Sequence, residues 1–156
     1  MVCTFFGHRD CYGLDRERLE QMLVELIREG VDLFYVGNQG MFDSMVYGCL
    51  KRLQARYPHI RYAVVLAYFP QGEQGEDTVF PEGLELSPPR FAIDRRNRWM
   101  LAQAQYCVCY VNHTWGGAYK FARMASNRGL RLMNLGSADL RKGDKGVGHK
   151  NTPNAR

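Results

Sequence analysis

Apolar residues along the chain alternate between short continuous runs and longer stretches with helical spacing. The continuous runs, rich in β-branched and aromatic residues, predict five buried strands, at residues 2–6, 31–36, 61–68, 106–111 and 130–135. Apolar residues three and four positions apart predict four helices, over residues 15–29, 41–56, 90–104 and 118–128. Asp15 is a candidate N-cap of the first helix, and Gly30 predicts its end.

Strands and helices follow one another in turn, and this order predicts an α/β fold: one open parallel sheet of about five strands with helices on both faces. Because crossovers are right-handed, we expect a Rossmann-like strand order of 3-2-1-4-5. The carboxyl ends of strands 1 and 4 then flank the topological switch point, where the strand order reverses direction and where such sheets bind ligands. The length of 156 residues suits one domain, which we place at residues 1–135.

Two segments depart from this alternation. Residues 70–89 hold four of the six prolines and five acidic residues with no basic one, which predicts an irregular acidic loop. A loop of this length is typical of a lid or of a solvated insertion, and the sequence favours neither. Residues 136–156 are polar and contain glycine and lysine, which predicts a basic, disordered tail.

The charge of the chain favours a small anionic ligand over a nucleic acid. Of the net charge of +5, residues 136–156 contribute +3 through five basic and two acidic residues. The remaining +2 is too little for the clustered basic face of a specific nucleic-acid binder. Weak, salt-sensitive DNA binding through the tail is an alternative.

The composition also indicates the cellular compartment, whether a metal is bound, and whether the chain forms a dimer. The five cysteines are odd in number and form no CxxC motif, which predicts buried thiols in a reducing cytoplasm. The four histidines show no zinc spacing, so we expect neither a metal nor a cofactor. No signal peptide and no membrane-spanning run is visible, so we expect no membrane partner. Phe42 and Tyr47 suit either the core or the surface of a homodimer.

Glycine-bearing turns follow three of the predicted strands, at residues 7–10, 37–40 and 115–118. The carboxyl ends of parallel strands meet at one edge, so we expect these turns to converge there. Glycine lets backbone N–H groups approach an anion, and a helix N-terminus adds partial positive charge. The candidate phosphate-binding glycines are Gly7, Gly37, Gly40, Gly116 and Gly117.

Four polar side chains in the first two turns are candidate ligand contacts. Arg9 is placed to grip a phosphate, and His8 either donates to the same anion or bonds to the backbone. Asp43, in the first turn of the second helix, either compensates the helix dipole or accepts from a ribose hydroxyl, with Asn38 as a polar partner. Asp43 is also the candidate general base, with Asp10 as the alternative carboxylate.

Two further candidates lie later in the chain. Residues 95–98 are rich in arginine, and Arg96 shares a helix face with Met100. This run either turns one or two arginines toward the ligand, with Arg96 as the candidate, or forms a solvated helix face. Trp115 either stacks on a base or anchors its turn. The sequence contains no Walker A motif, no dinucleotide fingerprint and no nucleophile elbow.

Residues 3–10, 34–43, 89–93, 96–100 and 115–118 together resemble a bacterial or phage branch of the SLOG superfamily. This superfamily groups the Rossmann domain of the DNA-processing protein A with the Lonely-Guy phosphoribohydrolases. The resemblance spans residues 1–135 and implies a Rossmann-like fold that binds a nucleotide or a nucleotide-derived ligand. The positions that match its site motifs are Gly7, Arg9, Gly37, Gly40, Asp43, Arg96, Gly116 and Gly117.

The sequence departs from the Lonely-Guy signature, which resembles P-G-G-x-G-T-x-x-E. Arg96 and Met100 match its upstream R-x-x-x-M stretch, but Trp115 replaces the proline. Residues 119–121 stand in place of the glycine and threonine, and the catalytic glutamate has no counterpart. We therefore expect binding or sensing of a phosphorylated nucleotide derivative, with N-glycosidic hydrolysis as the alternative.

Overall fold

The computed structural model of the protein describes residues 1–69, 72, 75 and 77–141. Its strands are β1 (Val2–Gly7), β2 (Leu33–Val36), β3 (Arg61–Val65), β4 (Thr78–Val79), β5 (Tyr106–Tyr110) and β6 (Arg131–Asn134). Its α-helices are α1 (Arg16–Arg28), α2 (Met41–Arg56), α3 (Ala92–Gln103) and α4 (Gly116–Asn127). Two short 3₁₀ turns, Leu84–Leu86 and Pro89–Phe91, precede α3.

The six strands form one parallel sheet in the order β4-β3-β2-β1-β5-β6. The predicted α/β class and parallel sheet are confirmed, and the five predicted strands keep their predicted relative order. The count of five strands is wrong, because β4 pairs with the outer edge of β3 through Val64 and Thr78. A strand of two residues inside a proline-rich segment leaves no apolar pattern to detect.

Helices cover both faces of the sheet. Leu19 and Leu23 of α1 and Leu50 of α2 are fully buried in the core on one face. Met100 of α3 and Phe121 of α4 lie in the core on the other face. All five residues of β5 are buried, as expected for a central parallel strand covered on both sides.

Local sequence accounts for the ends of two helices. Asp15 caps α1 as predicted, since its side chain accepts the backbone N–H of Glu17. Gly30 follows the helix with φ at +110°, a conformation that stops it. Helix α3 begins at Ala92 rather than at residue 90, because Pro89–Phe91 form a 3₁₀ turn first.

Several smaller expectations have a clear outcome. All five cysteines are free and buried, as predicted. Phe42 belongs to the core at 1% exposure, and half-buried Tyr47 donates its hydroxyl to Asp77. Within the described residues, no helix has the length and apolar character needed to cross a bilayer.

The two irregular segments are described in part. Leu84 of the acidic segment is buried, and residues 70, 71, 73, 74 and 76 lie outside the described residues. After residue 135, the backbone N–H of Ala138 donates to the carbonyl of Val111, and Leu140 is buried against α4. The rest of the predicted tail, residues 142–156, also lies outside the described residues.

Candidate functional site

The turns after β1 and β2 pack directly on each other. The backbone N–H of Met41, at the start of α2, donates to the carbonyl of Arg9 over 2.8 Å. Gly40 has φ at +111°, and a Cβ at this position would lie 2.8 Å from the Cα of Arg9. Only glycine meets both conditions, so Gly40 allows the first two turns to come together.

The turn after β1 is also joined to the turn after β5. The backbone N–H of His8 donates to the carbonyl of Tyr110 over 3.2 Å, which continues the sheet pairing. The backbone N–H of Asn112 then donates to Nε2 of His8 over 2.9 Å. The three glycine-bearing turns therefore converge at the carboxyl edge of the central strands.

A pocket of about 270 Å³ opens where these turns meet the face of α3. It lies between β1 and β5, where the direction of the strand order reverses. Its lining residues are Phe5, Phe6, Gly7, His8, Arg9, Gln39, Asp43, Ile93, Arg96, Asn97, Met100, Gly117 and Ala118.

Arg96 is a buried cation in the wall of this pocket, with 2% of its surface exposed. Its Nη1 donates to the carbonyl of Val65 over 2.9 Å, and its Nε donates to Oδ1 of Asn97 over 2.8 Å. Arg95 and Arg98 on the same helix are exposed. The arginine-rich run thus directs one side chain to the pocket and two to solvent.

Asp43 supplies the carboxyl group of the pocket and is 8% exposed. Its Oδ2 accepts the backbone N–H of Gln39 over 2.8 Å. Burial raises the pKa of Asp43 to about 6, although this N–H and the charges of Arg96 and Arg9 lower it. The group therefore changes charge near neutral pH.

Gly37 makes the close approach of Asp43 and Arg96 possible. A Cβ at Gly37 would lie 2.9 Å from Nη1 of Arg96 and 3.0 Å from Oδ2 of Asp43. A larger residue would push apart the cation and the carboxylate. Gly37 thus shapes the pocket from behind, without lining it.

The first turn of α4 forms the remaining wall. Trp115 is the extended N-cap residue, and its side chain makes no capping hydrogen bond. A Cβ added to Gly117 would meet no atom within 4 Å, so neither packing nor backbone conformation requires glycine there. The result is a helix N-terminus, with about half a positive charge, beside open space.

The structure brings together most of the predicted site residues. Those that line the pocket are Gly7, His8, Arg9, Asp43, Arg96 and Gly117. Gly37 and Gly40 hold its turns together, and Gly116, with φ at +91°, opens α4. These three glycines do not line the pocket, and neither do the predicted polar and aromatic candidates Asn38 and Asp10, which are exposed, and Trp115, which is 66% exposed.

Sequence reasoning missed several pocket residues on α3 and at the turn before α2. Ile93 and Asn97 join Arg96 and Met100 in one stripe, at helical positions i, i+3, i+4 and i+7. Extending the face shared by Arg96 and Met100 would have found both. Gln39 was not predicted, because only the two glycines and Asn38 were singled out in its turn, residues 37–40.

The pocket combines cations, a helix N-terminus and one titratable carboxyl. When Asp43 is ionised, the charged side chains that line the pocket, Arg9, Arg96 and Asp43, have a net charge of +1. No three metal-ligating side chains cluster within the described part of the chain. This arrangement favours an organic or inorganic anion.

Comparison of the sequence with models of known protein families gives no match, and comparison with curated proteins gives none either.

Proposed function

We propose that this pocket binds or senses a nucleotide or a nucleotide-derived phosphorylated ligand, and that the chain belongs to the SLOG superfamily. One observation carries the binding proposal: Arg9, Arg96 and the open N-terminus of α4 face a single pocket at the switch point of a parallel sheet. A phosphate there receives backbone N–H groups and guanidinium donors from three separate segments. The sequence motifs of the first two turns support the superfamily assignment.

Different residues of the pocket contact different parts of such a ligand. Arg9 is exposed at the mouth and is free to close on a phosphate, whereas Arg96 is fixed by Val65 and Asn97. Asp43 accepts from a sugar hydroxyl, since a carboxylate is an acceptor when ionised. Gly117 keeps the space before the α4 N-terminus open.

Calorimetric titration with AMP, ADP, ATP and inorganic phosphate tests this proposal. We expect at least one nucleotide to bind, and Arg9→Ala to weaken its affinity about ten-fold or more, because it removes a charged hydrogen-bond partner. Arg28→Ala is the matched control, since Arg28 is an exposed arginine in the last turn of α1, at the opposite edge of the sheet. Absence of binding at millimolar concentrations, or equal effects of the two variants, contradicts the proposal.

Hydrolysis of an N-glycosidic bond is the second candidate function, and Asp43 is the observation that favours it. A buried carboxyl that lines a pocket and has a pKa of about 6 suits proton transfer near neutral pH. Incubation with AMP, followed by chromatographic detection of free adenine, tests this function. Activity that survives Asp43→Asn unchanged removes Asp43 from the mechanism.

A further inference from the structure

Three aromatic rings form a continuous stack beside the pocket. The ring of His8, which lines the pocket, stacks on His113 at a centroid distance of 3.9 Å and an interplanar angle of 17°. His113 stacks in turn on Trp115 at 3.8 Å and 16°. The stack connects the turn after β1 with the N-cap of α4.

Hydrogen bonds to the backbone hold the two histidine rings of this stack. His8 is fixed by the backbone N–H of Asn112. Nδ1 of His113 lies 3.1 Å from the carbonyl oxygen of Trp115, which can only accept, so the imidazole donates. The two imidazole rings are therefore held by the backbone, and the indole of Trp115 stacks on the second of them.

Trp115 contributes little to the core. It is 66% exposed and lies in neither of the two core clusters. His113 covers one face of its indole, and its side chain does not cap α4. A large flat apolar surface is thus presented to solvent two residues before Gly117, which lines the pocket.

We propose that the His8–His113–Trp115 stack is a base platform, and that the planar ring of the bound nucleotide stacks on the exposed surface of Trp115. This inference rests on the proposed nucleotide binding and adds the recognition of the base. Only Gly116 lies between Trp115 and Gly117, so the Cα atoms of these two residues are at most about 7.6 Å apart, a distance that a sugar can bridge. Stacking tolerates different bases, since every base has a π-face.

A ligand pair that differs only in the base tests the platform. We expect AMP to bind the wild-type protein about ten-fold or more tightly than ribose 5-phosphate. Trp115→Ala should reduce the affinity for AMP to that for ribose 5-phosphate, and should leave ribose 5-phosphate binding unchanged. Trp115→Phe keeps an aromatic ring and should retain most of the preference. Arg9→Ala should weaken both ligands together, because both carry the phosphate.

The outcomes separate this inference from the function on which it rests. Equal affinity for the two ligands, or an equal loss of both in Trp115→Ala, overturns the platform and leaves phosphate binding intact. Failure of both ligands to bind overturns both proposals. Fluorescence gives a second measurement, because the chain contains only Trp99 and Trp115. In a Trp99→Phe background, AMP should quench the indole emission and ribose 5-phosphate should not.

Discussion

The backbone N–H of Asn112 donates to Nε2 of His8 over 2.9 Å, so the turn after β5 determines which nitrogen of this histidine carries its proton. A nitrogen that accepts a hydrogen bond has no proton, and the neutral ring of His8 is therefore protonated on Nδ1. Because His8 lines the pocket, Nδ1–H is the donor that its ring can offer to a ligand.

Nitrogen NMR of the histidine side chains measures this tautomer directly. At pH 7 we expect His8 to show an unprotonated Nε2 and a protonated Nδ1. Burial and the neighbouring His113 lower the pKa of His8 below its usual value of 6.5, so the ring should stay neutral into mildly acidic solution. His113→Phe keeps a stacked ring without its charge and should move the pKa of His8 upward. A protonated Nε2 at pH 7 contradicts the assignment.

The sequence predicted the main sheet because its strands and helices have strong, regular apolar patterns. The run at residues 106–111 and the helical spacing at residues 41–56 correspond closely to β5 and α2. Strand β4 and the packing of Leu140 escaped detection, since both depend on contacts with distant residues. Local patterns carry no information about such contacts.

The candidate site was predictable in part for the same reason. Glycines after buried strands identify turns, and parallel strands bring those turns to one edge. The burial of Arg96 was not predictable, because the carbonyl of Val65 that it contacts is 31 residues away. Neither was the stack of His8 on His113, which needs the actual spacing of two turns.

Replacing Gly117 by alanine should separate stability from binding. A Cβ there meets no protein atom, and alanine restricts the unfolded chain, so Gly117→Ala should stabilise the fold by about 0.5 kcal/mol. The same methyl group projects into the space before α4 and should weaken nucleotide binding. Gly7→Ala is the contrasting variant, since its Cβ would overlap the ring of Phe42 and destabilise the protein. Thermal unfolding and calorimetry measure the two effects. A Gly117→Ala protein with unchanged affinity would contradict the role of this space.

Removing the buried cation should expose its coupling to Asp43. Arg96→Met removes the buried cation beside the carboxylate of Asp43, which then has only the exposed Arg9 as a cation that lowers its pKa, and it deprives the carbonyl of Val65 of this donor. We expect a loss of about 3 kcal/mol in the free energy of unfolding, measured in urea at pH 7.5. Addition of Asp43→Asn should recover part of the loss, because it removes the buried negative charge that Arg96 stabilises. Arg98→Met changes an exposed arginine and serves as the control. Strict additivity of the Arg96 and Asp43 substitutions would show that the two groups are not coupled.

Substitution of Leu140 tests whether residues after β6 contribute to the stability of the fold. It is 4% exposed and packs in the core cluster that contains Phe121 and Ala122 of α4. Leu140→Ala should therefore cost about 2–3 kcal/mol of stability in urea denaturation. Leu86→Ala removes the same atoms from a residue that is 83% exposed, and should cost less than about 0.5 kcal/mol. Equal stability of the two variants would show that residues 136–141 do not contribute to the fold.

The raised pKa of Asp43 predicts how stability depends on pH. Folding raises this pKa from 3.8 to about 6, because burial disfavours the charged carboxylate. Between these values the folded protein holds a proton that the unfolded chain releases, so the contribution of Asp43 to stability is present in acid and is lost as the pH rises through about 6. Relative to Asp43→Asn, which cannot titrate, the wild-type protein should lose roughly 2 kcal/mol between pH 4.5 and 7.5. Urea denaturation of both proteins across this range gives the difference, in which the other titrating groups cancel. A difference that stays constant with pH would mean that Asp43 keeps its ordinary pKa, and the case for its role in proton transfer near neutral pH would end there.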